Sequence, residues 1–436
     1  MKLFSVREYG STPRREVLAG VTNFMAMAYI FLVNPIILGE AGVPREAAFA
    51  ATVWASALST LCMALAANMP IVLAPGMGVN AFFTYTLVLG MGHSWQIALG
   101  AVFLSGLIFF ILALTPIPAY IIKSLPRSLK LAIGGGIGLF IALIGFQNAG
   151  LVVPDPDTML NFGDISARAP LLACLCLLLT GAMLACGVNG AILWGILITS
   201  GLAMLLGESP RPQELAQVFS LRPPSLGETF MSMEILPLLR PAFISVLFSM
   251  TVVDMFNAMG TIIGVSGKAG LVESDGRGGE RIRRLRLAML SDAGGTLLGG
   301  LLGTSPVTSY LESITGIAAG GRTGLTALVA AGLFLLCLFF APLVNMIPPF
   351  ATAPALIFVG CLMLRDVRDI DFDDITESLP AFLTLISMPL TYSIVTGFGL
   401  GFVSYVLLKL FSGRFREVNL VMWIIAVCFA INFAIG

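Results

Sequence analysis

The chain has 436 residues, 57% of them hydrophobic and only 11% charged, and its 24 basic and 24 acidic side chains cancel. So little polar surface cannot cover a soluble core, which excludes the water-soluble classes and leaves a protein built into a lipid bilayer. One histidine and seven cysteines without CxxC spacing give zinc or iron chemistry little to work with.

A helix crossing a hydrocarbon layer of roughly 30 Å needs about 20 residues. Apolar runs of that kind begin near residues 16, 47, 71, 95, 129, 169, 188, 241, 286, 304, 324, 350, 379, 396 and 418. They predict an all-α polytopic membrane protein with about fourteen transmembrane spans. The first run is too long for a cleavable leader, and Asn34-Pro35 and Glu40 follow it where small residues would mark a cleavage site. The cysteines at 62, 174, 176, 186, 337, 361 and 428 fall almost all inside apolar runs and read as small core residues. His93 reads as an ordinary loop residue.

Short cytoplasmic loops are rich in Lys and Arg. Lys2, Arg7, Arg14 and Arg15 precede the first span, and Lys123, Arg127 and Lys130 separate the fourth from the fifth. Lys268, Arg277, Arg281, Arg283, Arg284 and Arg286 follow the eighth. The span count puts all three groups on one side, with the N-terminus in the cytoplasm. Asp155, Asp157 and Asp164, accompanied only by Arg168, suit an outer loop after the fifth span. Lys409, Arg414 and Arg416 fit the inside if 379–411 forms two short helices, which leaves 418–435 as a further span or a re-entrant segment.

Weak internal similarity divides the chain near residue 235. "NPIILGEAGV" (34–43) resembles "GTIIGVSGKAGL" (260–271), and "FFILALTPIPAYIIKSLP" (109–126) resembles "LFLLCLFFAPLVNMIPP" (333–349). Residues 1–235 and 236–436 then hold seven spans each. An odd span number turns the second copy over in the membrane, giving the inverted repeat of secondary transporters.

The third span of each half is broken. "NMPIVLAPGMGVNAFFTY" (68–85) and "GGLLGTSPVTSYLESITG" (299–316) both read as a short extended stretch, a Gly/Pro break and a half-helix. Such backbone is tolerated at membrane depth only where protein or a cavity satisfies its polar groups. Paired interruptions of this kind point to a substrate site near the midplane, with half-helix N-termini offering free N–H groups.

Four polar side chains stand out at this depth. Glu312 is expected about two turns into the second half-helix and Asn80 at a similar place in the first, while "FISVLFSMTVVDMFNAMGTIIG" (243–264) adds Asp254 and Asn257. A carboxylate at a helix centre costs roughly 2.5 to 3.5 kcal/mol to insert, so an intramembrane acid signals function. Asp254 and Glu312 together suit a carrier that takes up a proton as access alternates. The amides can equally tie helices together. Phe82 and Phe83 offer flat surfaces for stacking, though aromatic residues in spans commonly serve the core.

The charged stretches point elsewhere. "ESDGRGGERIRRLRL" (273–287) lacks the strand-before, helix-after context of a nucleotide loop and reads as a cytoplasmic loop meeting anionic lipid. "RDVRDIDFDD" (365–374) is a mixed-charge connector without calcium-loop spacing. Nothing in the sequence binds an energising nucleotide or a nucleic acid, so a gradient would drive transport.

Along nearly its whole length the chain resembles the AzgA-like purine permeases of the nucleobase:cation symporter group. "NFMAMAYIFLVNPIIL", "APGMGVNAFFTYTLVLGMG", "VVDMFNAMGTIIGV", "GTSPVTSYLESITGIAAGGRTGLTAL" and "MPLTYSI" match family segments in order. The resemblance implies two inverted seven-span repeats arranged as a core domain and a gate domain, with homodimerisation through the gate. It implies proton-coupled purine uptake across the plasma membrane (the inner membrane of a Gram-negative cell), with no cofactor besides the coupling proton. The family's functional asparagine, aspartate and glutamate map to Asn80, Asp254 and Glu312, and Thr304 and Ser305 would lie beside the ligand.

Asn257 stands where the family commonly has a second aspartate, so any charge carried there is lost. Related uracil permeases carry a histidine where this chain has Ala258. The oxopurines hypoxanthine and guanine, with N1–H beside a carbonyl, suit a carboxylate and an amide slightly better than adenine does. Two other readings compete. One is a sulfate- or bicarbonate-type anion carrier of the same fold, which two acids in the site oppose. The other is an intramembrane acid/base enzyme, for which no nucleophile, metal cluster or GxGD pattern is present.

Overall fold

The computed structural model describes residues 4–115, 124–212, 214, 218–240, 243–274 and 280–435. Lys2, Lys123 and Arg277 from the sequence reading lie outside them, as does part of the 109–126 segment.

The chain begins with α1 (Pro13–Met27), which breaks at Ala28-Tyr29 and resumes as α2 (Ile30–Glu40). Thr12 caps α1 by accepting from the Arg15 N–H, with Pro13 at the first helical position where no N–H is needed. After α3 (Arg45–Cys62) and one wider turn, Asn68 enters the left-handed region at φ 52° and stops the helix. The third span follows as strand β1 (Leu73–Pro75) and helix α4 (Met77–Ala81), whose turns widen over Phe82–Gly90.

The first half is completed by α5 (Trp95–Ala113), α6 (Arg127–Asn148), the hairpin β2 (Val152–Asp155) and β3 (Met159–Phe162), α7 (Arg168–Ala185) and α8 (Ala191–Leu206). The second half begins with α9 (Ile244–Ala269), the hairpin β4 (Val272–Ser274) and β5 (Glu280–Ile282), and α10 (Leu285–Leu302). The tenth span is strand β6 (Val307–Ser309) and helix α11 (Ser313–Ala318). Then come α12 (Gly324–Leu336), α13 (Pro349–Met363), α14 (Ile375–Thr391), α15 (Ile394–Phe411) and α16 (Leu420–Ile435). Among the described residues, nine helical stretches are long and apolar enough to cross a membrane, and three shorter apolar helices accompany them.

Contacts between loop ends sort into two faces. On one, Ser11 donates to the Gly320 carbonyl, Asn68 to that of Phe4 and Arg284 to that of Ala66, and Arg127 pairs with Asp369. On the other, the Glu234 N–H bonds the Gln96 carbonyl, the Met231 N–H that of Leu301, and Arg168 pairs with Glu208. The first face is the one that collects the Lys and Arg clusters. Arg414, just past α15, bonds Asp374 at the start of α14 at 2.6 Å. The 379–411 region is therefore two short helices folded back on each other, with Leu420–Ile435 as a further helix.

The helices pack in two groups. In one, α5 lies on α10, while α1 and α3 lie on α12; in the other, α6 lies on α13 and α14. The α6–α13 crossing depends on Gly138 and Gly360, where an added Cβ would stand 2.8 Å and 2.4 Å from the other's carbonyl oxygen. Small residues at such crossings bring backbones close enough for dispersion to hold helices together in lipid.

The cysteines depart from expectation. All seven are free, but only Cys176 is buried, and Cys62, Cys186, Cys361 and Cys428 lie on the outside of the bundle. In a bilayer a small apolar side chain is as stable facing lipid as facing protein, so position in an apolar run does not predict burial.

Candidate substrate site

The two broken spans meet. Strands β1 and β6 pair antiparallel, Leu73 with Ser309, Ala74 with Thr308 and Pro75 with Val307. One further bond extends each end: the Gly76 N–H donates to the Pro306 carbonyl at 2.9 Å, and the Tyr310 N–H to the Val72 carbonyl at 3.0 Å. The two bonds are equivalent by a local twofold axis through the Ala74–Thr308 pair. Every residue from 69 to 84 and from 302 to 310 is buried. The pairing is what makes extended backbone tenable at this depth, because each strand satisfies the other's polar groups.

Helices on both sides hold the ladder. Thr60 of α3 accepts from the Leu73 N–H at 3.0 Å and donates to the Leu73 carbonyl at 3.1 Å. Asp292 of α10 accepts from the Ser309 N–H at 2.6 Å and from its hydroxyl at 2.5 Å. The Tyr310 hydroxyl donates to the Pro75 carbonyl, closing the ladder across its end.

The residues singled out by sequence fall around this frame. Asn80, on the first turn of α4, is fully buried; its Nδ2 donates to Asn34 Oδ1 at 2.9 Å, and its own Oδ1 has no partner. Thr304 and Ser305 turn to the same Asn34: Thr304 Oγ1 accepts from its Nδ2 at 2.9 Å, and Ser305 Oγ donates to its Oδ1 at 3.3 Å. Asp254 accepts from Thr296 Oγ1 at 2.6 Å through Oδ2, and its Oδ1 is buried without a partner. Thr296 Oγ1 also lies 3.1 Å from the Val307 carbonyl, which puts Asp254 against β6.

Glu312 departs from expectation. It stands at the N-cap of α11, not two turns inside a half-helix, and its carboxylate accepts from the Tyr29 hydroxyl at 3.5 Å. The cause is that β6 and the Tyr310–Val72 bond keep the backbone extended farther than the Gly/Pro break alone indicates. Phe82 and Phe83 are enclosed in the main apolar core, 2% and 0% exposed. Asn257 is half-buried.

Four participants were missed from sequence: Asn34, Asp292, Asn23 and Glu16. Asn23 accepts from the Gly316 N–H at 2.8 Å and donates to the Pro70 carbonyl at 3.4 Å, tying α11 to the stretch before β1. Glu16, fully buried, accepts from the Arg322 N–H at 3.0 Å and from Thr326 Oγ1 at 2.6 Å. Asn34 precedes a proline and reads as a turn, while Glu16 and Asp292 lie close to basic residues and read as span borders. The available signal was a polar side chain inside an otherwise apolar run, Asn23 and Asn34 in the first run and Asp292 in the ninth. Among the described residues no cluster of His, Cys, Asp and Glu could hold a metal.

A buried site with uncommitted acceptors, set on paired broken spans, is the arrangement of a membrane carrier. The Xan_ur_permease model, described as a permease family, matches residues 14–400. The chain belongs to this family. Adenine permease AdeQ of Escherichia coli strain K12 is 39% identical over 99% of this chain and 95% of its own length. Guanine/hypoxanthine permease PbuO of Bacillus subtilis strain 168 is 38% identical over 99% of both chains. The transmembrane domain of the cyanobacterial bicarbonate transporter BicA superposes with a TM-score of 0.65 at 16% identity, over 90% of this chain and 97% of that one, and shares the fold. This permease is thus a multi-pass membrane protein and not an enzyme, with the inverted-repeat architecture of that fold.

Proposed function

We propose that this permease imports purine nucleobases with a proton, the base seated against the β1–β6 ladder between Asn80 and Asp254. The observation that carries the reading is the pair of buried, unpartnered acceptors, Asn80 Oδ1 and Asp254 Oδ1. A buried polar atom without a partner is destabilising unless something donates to it, and a purine brings N–H groups on both of its rings. Relatives named for adenine and for guanine/hypoxanthine support the substrate class.

Asp254 and Glu312 are the groups through which a proton would travel with the base, and Thr304 and Ser305 line its approach. Phe82 and Phe83 would stack on the base only after their packing opens. Because the ladder is buried, a base reaches it only if packed groups part. We assign that motion to an elevator-like displacement of the helix group carrying the ladder, the core domain, past the group built on α6, α13 and α14, the gate domain. The gate also offers the surface for a homodimer. The N-terminal, Lys/Arg-bearing face lies in the cytoplasm.

The test is uptake of labelled hypoxanthine into proteoliposomes, with and without an inward proton gradient, challenged by adenine, guanine, uracil and sulfate. Gradient-dependent accumulation blocked by purines is the expected result. Accumulation indifferent to the gradient removes the proton, and inhibition by sulfate instead of purines turns the reading to an anion carrier.

A further inference from the structure

We propose that Asn34 is a specificity-determining residue that never needs to touch the substrate: it locks the Asn80 amide with its oxygen toward the site, so that the permease selects bases carrying an N–H at that point. The proposal rests on the purine reading above.

One end of the network is fixed, and the hydrogen positions follow from it. Thr52 Oγ1 lies 2.6 Å from the Ala48 carbonyl, an atom that can only accept, so the single hydroxyl proton of Thr52 is committed there. The Thr52 oxygen is then left as an acceptor, and the Asn34 atom 2.8 Å away must be the NH2 group. The second N–H of that group goes to Thr304 Oγ1 at 2.9 Å. The other end of the Asn34 amide is therefore its oxygen, which accepts from Ser305 Oγ and from Asn80. The Asn80 atom facing it must be NH2, and the atom left over is Oδ1, buried and without a partner.

Asn34 has now used both donors and both lone pairs, and Asn34, Thr52, Thr304, Ser305 and Asn80 are all fully buried. Amide orientation is ordinarily assigned by such networks. Here the network runs from a helix backbone in α3, through α2, to α4, and ends in a buried acceptor without a partner. If Asn34 were apolar, Asn80 could turn over and present NH2 instead, and the same site would accept a base with a ring nitrogen lone pair.

The experiment measures competition against labelled hypoxanthine by hypoxanthine itself and by bases that carry a ring-nitrogen lone pair where hypoxanthine can carry N–H: adenine at N1, 9-methylhypoxanthine at N7 and 7-methylhypoxanthine at N9, in the wild type, Asn34→Leu and Asn34→Gln. The ratio of inhibition constants, analogue to parent, is read for the analogue the wild type rejects most. Steric differences between analogue and parent are common to all three proteins and cancel on comparing ratios. Asn34→Leu is expected to lower the ratio at least tenfold. Asn34→Gln, whose amide can still donate to Thr52 and accept from Asn80, is expected to keep it within about threefold, so either variant tests the idea if the other is not recovered folded. An unchanged ratio in Asn34→Leu, or a collapsed one in Asn34→Gln, overturns the role of Asn34 while leaving the purine reading intact. Failure of hypoxanthine itself to compete or accumulate in the wild type overturns both.

Discussion

Ser309 gives Asp292 both of its hydrogens, the backbone N–H at 2.6 Å and the hydroxyl at 2.5 Å, so a carboxylate of α10 fixes the strand that crosses the site. Replacing Asp292 with Ala leaves the Ser309 N–H buried without an acceptor, which costs about 1–3 kcal/mol, and more if the strand shifts. Asp292→Ala should therefore lower the unfolding temperature in detergent and abolish uptake together. Wild-type thermal stability in that variant, measured by tryptophan fluorescence, would show that the ladder stands without Asp292.

The Glu312 carboxylate makes a long contact to Tyr29 and does not bond to the ladder. Glu312→Gln keeps the shape and removes the ionisable group. Uptake driven by a proton gradient should fall to background while the protein remains in the membrane and unfolds at an unchanged temperature. Wild-type accumulation by the variant would take Glu312 out of the coupling mechanism.

Two hydrogen bonds join the helix groups near the end of α2 and the α14–α15 turn. Asn148 of α6 donates to Glu40 at 3.2 Å, and Thr86 donates to the Tyr392 carbonyl at 3.2 Å. Elevator-like movement must break both. Substituting Glu40 and Asn148 together by Cys and bridging them with a short bifunctional maleimide should reduce uptake at least tenfold, whereas either single cysteine treated in the same way should transport. Full transport by the bridged protein would mean that these two groups do not move apart.

At the start of α14, hydrogen bonds from Thr376 and then from Arg414 hold the Asp374 carboxyl well below the usual carboxylate range. A group whose folded pKa is depressed stabilises the fold fully above its unfolded value, about 3.9, and loses that contribution as pH falls below it toward the folded value. The unfolding temperature of the wild type should thus fall more steeply below about pH 4 than that of Asp374→Asn, with the two curves converging in acid. Parallel curves down to about pH 2.5 would show that Asp374 contributes nothing to acid stability.

The broken spans were legible because glycine, proline and hydroxyls have no reason to gather inside an apolar run unless the backbone leaves the helix there. Asp254, Glu312 and Asn80 stand out in the sequence for a related reason: each is costly in lipid. Glu312 was misplaced along its helix because strand pairing with a segment of the other half sets where α11 begins, and no local signal carries that. Asn34 was passed over since an Asn before Pro is ordinary turn chemistry, and only contacts from α3, α4 and the tenth span reveal that it saturates its amide. Asp292 sits six residues after Arg286, so hydropathy assigns it to the border of a span, whereas packing against β6 buries it completely. The hairpins β2–β3 and β4–β5, and the pairing of the two expected extended stretches with each other, were beyond reach for the same reason that cysteine burial was: pairing and facing are decided between segments, not within them.

The ladder also imposes an order of assembly. Pro75 and Tyr310 are 235 residues apart in the chain yet bonded to each other. At ribosomal rates this separation corresponds to roughly 10–50 s of synthesis. Throughout that interval the first extended stretch sits in or beside the bilayer with its backbone unmatched. A nascent chain halted before residue 306 would therefore expose a strand edge inside the membrane, and biogenesis of this permease depends on shielding that edge until its partner emerges.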